Sequence, residues 1–224
     1  MKEGWLGRSF NAQLASGEQI EVTAKRFVSI DFNETGAIEY HIKALNFSGE
    51  ITFAPYIDAG IENEDSNYDE FFWEILEIVE GEKSGCILSK TLKTEFHVST
   101  AMQIALTLNN EEISVAKATT IEEKKLTYTY KVSVNEGDIA TIYKFGSYVS
   151  SLNYKNEDLN AATLSNVQNA NELGFHELLN TQIKAWADIW KTADIVIEGD
   201  VKAQQGIRFN IFQLNQTYLG TDAR

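Results

Sequence analysis

The stretch His97-Val98-Ser99-Thr100-Ala101-Met102-Gln103-Ile104-Ala105-Leu106-Thr107-Leu108 alternates with period two. Val98, Thr100, Met102, Ile104, Leu106 and Leu108 fall on one side, with His97, Ser99, Gln103 and Thr107 on the other. Successive side chains of a strand point to opposite faces, so this pattern puts one face on a core and the other towards solvent or a second layer. The same period recurs on both sides of it. Upstream it appears in Ile20, Val22 and Ala24 and in Ile38, Tyr40, Ile42 and Ala44; downstream in Leu126, Tyr128, Tyr130, Val132 and Val134 and in Ile139, Thr141, Tyr143 and Phe145. Turn-forming residues separate the runs at Asn33-Glu34-Thr35-Gly36, Asn46-Phe47-Ser48-Gly49, Asn109-Asn110 and Asn135-Glu136-Gly137-Asp138,. Short alternating strands punctuated in this way predict a large antiparallel β-sandwich.

Beyond residue 153 the period changes to that of helices. Asn156 or Asp158 can cap a first helix through Leu159, Ala162, Val167 and Ala170, ending near Gly174,. A second carries Phe175, Leu178, Leu179, Ile183, Trp186, Ile189 and Trp190 in one apolar stripe,. Asp194-Ile195-Val196-Ile197-Glu198 reads as a short extended segment, and Asp200 caps a third helix,. That helix carries Ile207, Ile211, Leu214 and Tyr218 on one side and Phe209, Phe212 and Leu219 around it. It is apolar over too much of its circumference for a surface helix, so it is expected to fold back on the sandwich, dock on a neighbouring chain or drive oligomer formation.

Composition narrows the function classes. The formal net charge of −14 over 224 residues opposes a nucleic-acid backbone or an anionic membrane surface as partner,. No run of ~18 apolar residues is present to span a bilayer, and Met1-Lys2-Glu3-Gly4-Trp5 has no signal-peptide character,. Cys86 is the one cysteine, which points to a reducing, cytoplasmic setting and to a buried structural thiol,.

Motifs for chemistry are few. His41, His97 and His176 lie in unrelated segments, two on strands and one on the second helix, without metal-ligand spacing,. No phosphate-binding glycine loop and no nucleophile elbow occurs. In Glu62–Glu70 the residues Asp65, Asn67 and Asp69 follow the one-three-five spacing of a calcium loop, but Glu70 replaces the required glycine and Leu76 the required glutamate,. A solvated loop is the expectation there. Cleavage of a glycosidic bond needs two carboxyls facing across a sugar, and no Asp or Glu stands in an apolar run that suggests a raised pKa. Catalytic residues and metal ligands are accordingly expected to be absent, and sugar-binding residues stay unassigned. Trp186 and Trp190 have core spacing, whereas Trp5 and Trp73 stay open as surfaces for sugar rings.

Trp186-Ala187-Asp188-Ile189-Trp190, then Asp194 to Asp200, then Ala203-Gln204-Gln205-Gly206-Ile207-Arg208-Phe209-Asn210-Ile211-Phe212-Gln213-Leu214 and Thr217-Tyr218, resemble glycoside hydrolase family 65, the maltose, kojibiose, nigerose and trehalose phosphorylases. Met1 to Leu6, Arg8-Ser9-Phe10 and Arg26-Phe27-Val28-Ser29 are similar to the interior of that family's N-terminal domain. The resemblance implies a mainly β chain, an antiparallel β-supersandwich with a C-terminal helical linker and the first helix of an α/α barrel. On that plan residues 1–153 are the sandwich without its first strands, 154–199 the linker helices and a connecting strand, and 200–224 the start of the barrel. The family's general acid and phosphate-binding residues lie in later barrel segments, so no catalytic residue is carried over. The resemblance implies an inverting phosphorylase as parent, with phosphate as co-substrate, no cofactor, a disaccharide substrate and a homodimer or larger assembly. The fragment itself is expected to be inactive. The competing expectation is a free-standing carbohydrate-binding β-sandwich that uses Trp5 and Trp73.

Overall fold

A computed structural model describes residues 1–62 and 71–218. The calcium-like spacing of Asp65, Asn67 and Asp69 therefore lies outside the described residues. The chain runs through β1 (Leu6–Gln13), β2 (Gln19–Val28), β3 (Thr35–Ala44), β4 (Gly49–Phe53), β5 (Tyr56–Asp58) and β6 (Trp73–Glu80). It continues through β7 (Ser84–Thr91), β8 (His97–Leu108), β9 (Glu111–Glu112), β10 (Lys117–Glu122), β11 (Lys125–Val134) and β12 (Ile139–Ser150). A turn of 3-10 helix at Asn156–Asp158 leads into α1 (Leu159–Leu173), α2 (Phe175–Ala193) and α3 (Val201–Thr217).

The strands form two sheets. The larger, of eight strands, has the order β1-β2-β3-β12-β8-β7-β6 with β9 appended to β8; the smaller, of four, has β10-β11-β4 with β5 also on β11. Every pairing is antiparallel. β8, the strand read first in the sequence, lies between β12 and β7 and is covered on both sides. Its Met102, Ile104 and Leu106 meet Leu126, Tyr128, Tyr130, Val132 and Val134 of β11 in the core between the sheets. Its opposite face carries Ala101 into a second core, where Phe27, Ala37, Cys86 and Phe145 of the larger sheet meet Val167, Ala170, Phe175, Leu178 and Leu179 of α1 and α2. The molecule is thus built in three layers, with the larger sheet in the middle.

A strand buried on both faces does not have one apolar parity, which explains one difference from expectation. In β12 the run Thr141, Tyr143 and Phe145 faces the helices, whereas Ala140 and Ile142 of the other parity enter the core between the sheets. On the helix-facing side Ser99, Asn160 and Glu77 form a short chain of hydrogen bonds. Ser99 donates to Asn160 of α1 at 2.8 Å, and Asn160 donates to Glu77 at 2.7 Å.

Turn chemistry sits close to where it was expected. Asn109 and Asn110 adopt positive φ of 52° and 70° between β8 and β9, a backbone that asparagine tolerates better than most residues,. The β2–β3 turn ends earlier than expected, because Thr35 and Gly36 already pair in the sheet with Ser147 and Gly146. Gly174, at φ 83°, separates α1 from α2. Asp200 caps α3 by accepting from the amides of Lys202 and Ala203. Asp158 occupies the capping position of α1 without making a side-chain cap; its backbone is helical, at φ −95° and ψ −10°, where a capping residue is usually extended,. The segment expected as a connecting strand is extended but joins no sheet; Gln204 of α3 accepts from the Ile197 amide and donates to the Ile195 carbonyl instead.

Candidate functional site

The one carboxylate buried among the described residues is Glu39, on the helix-facing side of β3 and 1% exposed. Its neighbours converge from three elements. His41 of β3 places Nε2 3.1 Å from Glu39 Oε2, His176 at the start of α2 places Nε2 3.7 Å from Oε1, and the Lys25 Nζ of β2 lies 3.9 Å from Oε2. The other ring nitrogen of His41 is 2.7 Å from Thr141 Oγ1, which fixes the orientation of the imidazole. Tyr143 of β12 completes the surround, edge-on to the His176 ring. Two of the three histidines thus meet at one carboxylate, although the sequence places them in unrelated segments. His97, the third, stays apart, its Nδ1 2.9 Å from the Glu95 carbonyl.

Electrostatics decide what this cluster can do. Burial pushes the Glu39 pKa up, but the hydrogen bond from His41 and the charges of His41, Lys25 and His176 outweigh it, so the carboxyl lies below its ordinary value,. A general acid at a glycosidic bond requires the opposite shift. Glu39 is therefore an anion that ties β2, β3 and α2 together. Ile38 and Tyr40 flank it in sequence, and the face it occupies is covered by a helix.

The second convergence is at the far end of α2. Trp186, 1% exposed, stacks on Phe212 of α3 with ring centroids 4.5 Å apart and lies 5.9 Å from the Trp190 ring. Gly4 sits against its indole; a Cβ there would fall 1.9 Å from Nε1, and the backbone holds φ at 67°, so only glycine fits,. Beside it Gln182 is buried with all three of its partners on the backbone. It donates to the carbonyls of Gly4 and Val28 and accepts from the amide of Ile30. The core role expected for Trp186 holds.

The open aromatics separate. Trp5 is half-buried against the second core, its indole N–H donates to Glu3 at 2.7 Å, and Lys25 lies over its ring. Trp73, at the start of β6, lines an open cleft of about 540 Å³ with Phe71, Leu92 and Lys124. The Cys86 thiol is fully buried, and burial pushes its pKa up to about 11, as a structural thiol requires,. Among the described residues no cluster of three or more His, Cys, Asp or Glu is arranged to hold a metal, and no helix is long and apolar enough to cross a membrane.

Comparison with known proteins bears on these features. The family model "Glycosyl hydrolase family 65, N-terminal domain" matches residues 1–189. The chain is 32% identical to maltose phosphorylase of Bacillus subtilis and 31% identical to alpha,alpha-trehalose phosphorylase of Thermoanaerobacter brockii, in each case over 100% of its own length. It spans only 29% and 30% of those two relatives. A solved putative kojibiose phosphorylase from human microbiome superposes with a TM-score of 0.86 at 20% identity, over 99% of this chain and 28% of that one. The three-layer arrangement of sheets and helices is thus shared with that solved structure, and the chain belongs to glycosyl hydrolase family 65.

Proposed function

We propose that this chain is the non-catalytic N-terminal portion of an inverting disaccharide phosphorylase, acting as a packing and assembly module for a catalytic α/α barrel. Its parent would cleave an α-glucoside such as maltose with inorganic phosphate, one carboxylic acid protonating the leaving oxygen. Within that parent the chain would pack on the barrel, shape one wall of the pocket and contribute to dimerisation. Residues 1–153 would form the sandwich, 154–199 the linker and 200–224 the first barrel helix.

The observation that carries this reading is the state of α3. Ile211 is buried and Phe212 stacks on Trp186 of α2, while Val201, Phe209, Leu214 and Tyr218, spread around the helix, stand in solvent. Each large apolar side chain left wet forfeits roughly 1.5–3 kcal/mol of burial, so a helix exposed in this way suits burial within a further helical layer. Supporting it, the curated relatives named above are phosphorylases more than three times as long as this chain.

A second reading rests on Trp73, whose ring lines the open cleft beside β6. A free-standing carbohydrate-binding sandwich would use it as a stacking platform. Titration of maltose, trehalose and kojibiose against the purified chain separates the two. The packing module gives no saturable signal, whereas millimolar or tighter binding that is lost in Trp73→Ala would establish the binding module in its place.

A further inference from the structure

Lys144 of β12 occupies a position whose neighbours are apolar. Residues paired across antiparallel strands share a face, so the registers place it between Ile38 of β3 and Ile104 of β8, with Ile142 and Gly146 on either side along β12. The diagonal positions are Tyr40, Leu106, Gly36 and Met102. Ile104, Ile142, Leu106 and Met102 belong to the core between the sheets. No position around Lys144 within its own sheet is charged.

The smaller sheet offers it no carboxylate either. Its Nζ donates to the Tyr56 carbonyl of β5 at 2.5 Å and lies 5.6 Å from the centroid of the Tyr56 ring. Lys125 of β11 lies over the same ring at 4.3 Å, a charge of the same sign, and Asp58 of β5 accepts from the Gly60 amide at 2.9 Å. Lys25, Lys83, Lys90, Lys117, Lys131 and Lys191 each have a carboxylate oxygen between 2.5 and 3.9 Å away; among the described residues Lys144 has none. Burial pushes its ammonium below the ordinary lysine pKa,. A lysine with its stem in apolar surroundings and no counter-ion keeps more neutral amine than a solvated one, and the neutral amine is the nucleophile.

The amine is nonetheless reachable. Along its row across the sheet, exposure rises from 3% at Ile104 to 37% at Ile38, and Arg26 beyond is exposed. Along the next row it rises from 0% at Met102 to 61% at Val28. Lys144 thus sits where the smaller sheet stops covering the larger one. Beside it Gly36 and Gly146 pair across β3 and β12 and make a floor without side chains. Where a Cβ on Gly146 would stand, the nearest atoms are the carbonyl oxygens of Ala101 and Gly36 in its own sheet, at 3.9 Å. Arg26 lies two strand spacings from Lys144, about 10 Å across Ile38,. It makes no ion pair among the described residues.

We infer that Lys144 is a site of covalent acylation, taking a small acyl group from an acyl phosphate. The neutral amine attacks the carbonyl carbon and a C–N bond forms. The C–O bond to phosphate breaks, phosphate leaves with the electron pair, and the proton released by nitrogen passes to water. The glycine floor admits a short acyl chain beside the amine, while the Arg26 guanidinium attracts the phosphate. No acidic residue lies on this face of β2, β3 or β12 to repel the donor, in a chain whose net charge is −14. The amide product is uncharged, which suits apolar surroundings better than an ammonium does.

The test exposes the folded chain to acetyl phosphate near neutral pH for a time that labels few amines. Isotopically labelled acetic anhydride then fills the remaining amines of the denatured chain, and peptide mass spectrometry reads each lysine. Lys144 is expected to be acetylated at least about threefold faster than exposed Lys184, and to lose that lead when the chain is denatured beforehand,. Phenyl acetate, an uncharged donor, is the comparison. Arg26→Gln is expected to slow Lys144 by about threefold or more with acetyl phosphate and to leave its rate with phenyl acetate unchanged. A Lys144 no faster than Lys184 overturns the inference, as does a lead that survives denaturation; neither outcome depends on a variant. A lead with phenyl acetate alone, or one with acetyl phosphate that Arg26→Gln does not lower, overturns the assignment of an acyl phosphate as donor.

Discussion

Glu39 shows how one residue can connect the layers. Its carboxylate lies against a lysine from β2, a histidine from β3 and a histidine from α2, so the start of the helical region meets the sheet at this polar cluster as well as through packing. Because its pKa is lower in the folded chain than in the unfolded one, the stabilisation is fully present above the ordinary carboxylate pKa,. It is lost as pH falls through the depressed folded value. Glu39→Gln is expected to cost about 1–3 kcal/mol at neutral pH and to flatten the loss of stability below the ordinary carboxylate pKa. Denaturant titrations of both proteins from neutral to acidic pH would measure this; parallel curves would show that Glu39 does not couple the layers. At this scale the sequence was only partly readable. The buried thiol of Cys86 and the core role of Trp186 followed from composition and spacing, and both hold. The Glu39 cluster did not, because Lys25, Glu39, His41 and His176 come together only once register and a helical layer are known. A Glu-x-His pair on a strand, both residues on one face, was the signal available at positions 39 and 41.

At the scale of elements, the contrast between α2 and α3 matters most. α2 buries Phe175, Leu178, Leu179, Gln182 and Trp186, whereas α3 buries only Ile211 among its described residues. α3 is held by its Asp200 cap, the paired hydrogen bonds from Arg208 to Asp194 and the stack of Phe212 on Trp186. Segments with few buried contacts open at low free energy. Hydrogen exchange in α3 is therefore expected to be faster than in α1 and α2. Phe212→Ala should remove what protection α3 has, while α2 and the strands keep theirs. Unchanged protection of α3 in that variant would show that some contact other than the aromatic stack holds it. The strands and helices themselves were largely visible in the sequence, since alternation and the three-four spacing are local. The helix-facing parity of β12 was hidden because a middle strand is apolar on both sides, and whether the extended stretch before Asp200 finds a partner strand was not legible, because extended β-branched residues do not reveal it.

For the molecule as a whole, the sandwich and its two covering helices share two apolar cores, one between the sheets and one between the larger sheet and the helices. Large apolar side chains of α3 lie outside both cores and face solvent. They suit the proposed place of this chain as one part of a larger protein, and the buried Glu39 carboxyl is poised as an anion, not as a proton donor. Pattern in the sequence reached the sandwich and helices, and resemblance reached the family, while the Glu39 cluster required the register of β2 and β3 and the position of α2. The most direct test of the account is an assay of the purified chain with maltose, trehalose or kojibiose and inorganic phosphate, read as formation of a glucose phosphate. No product above the level of a mock preparation is expected; turnover that co-elutes with the chain and scales with its concentration would contradict the account.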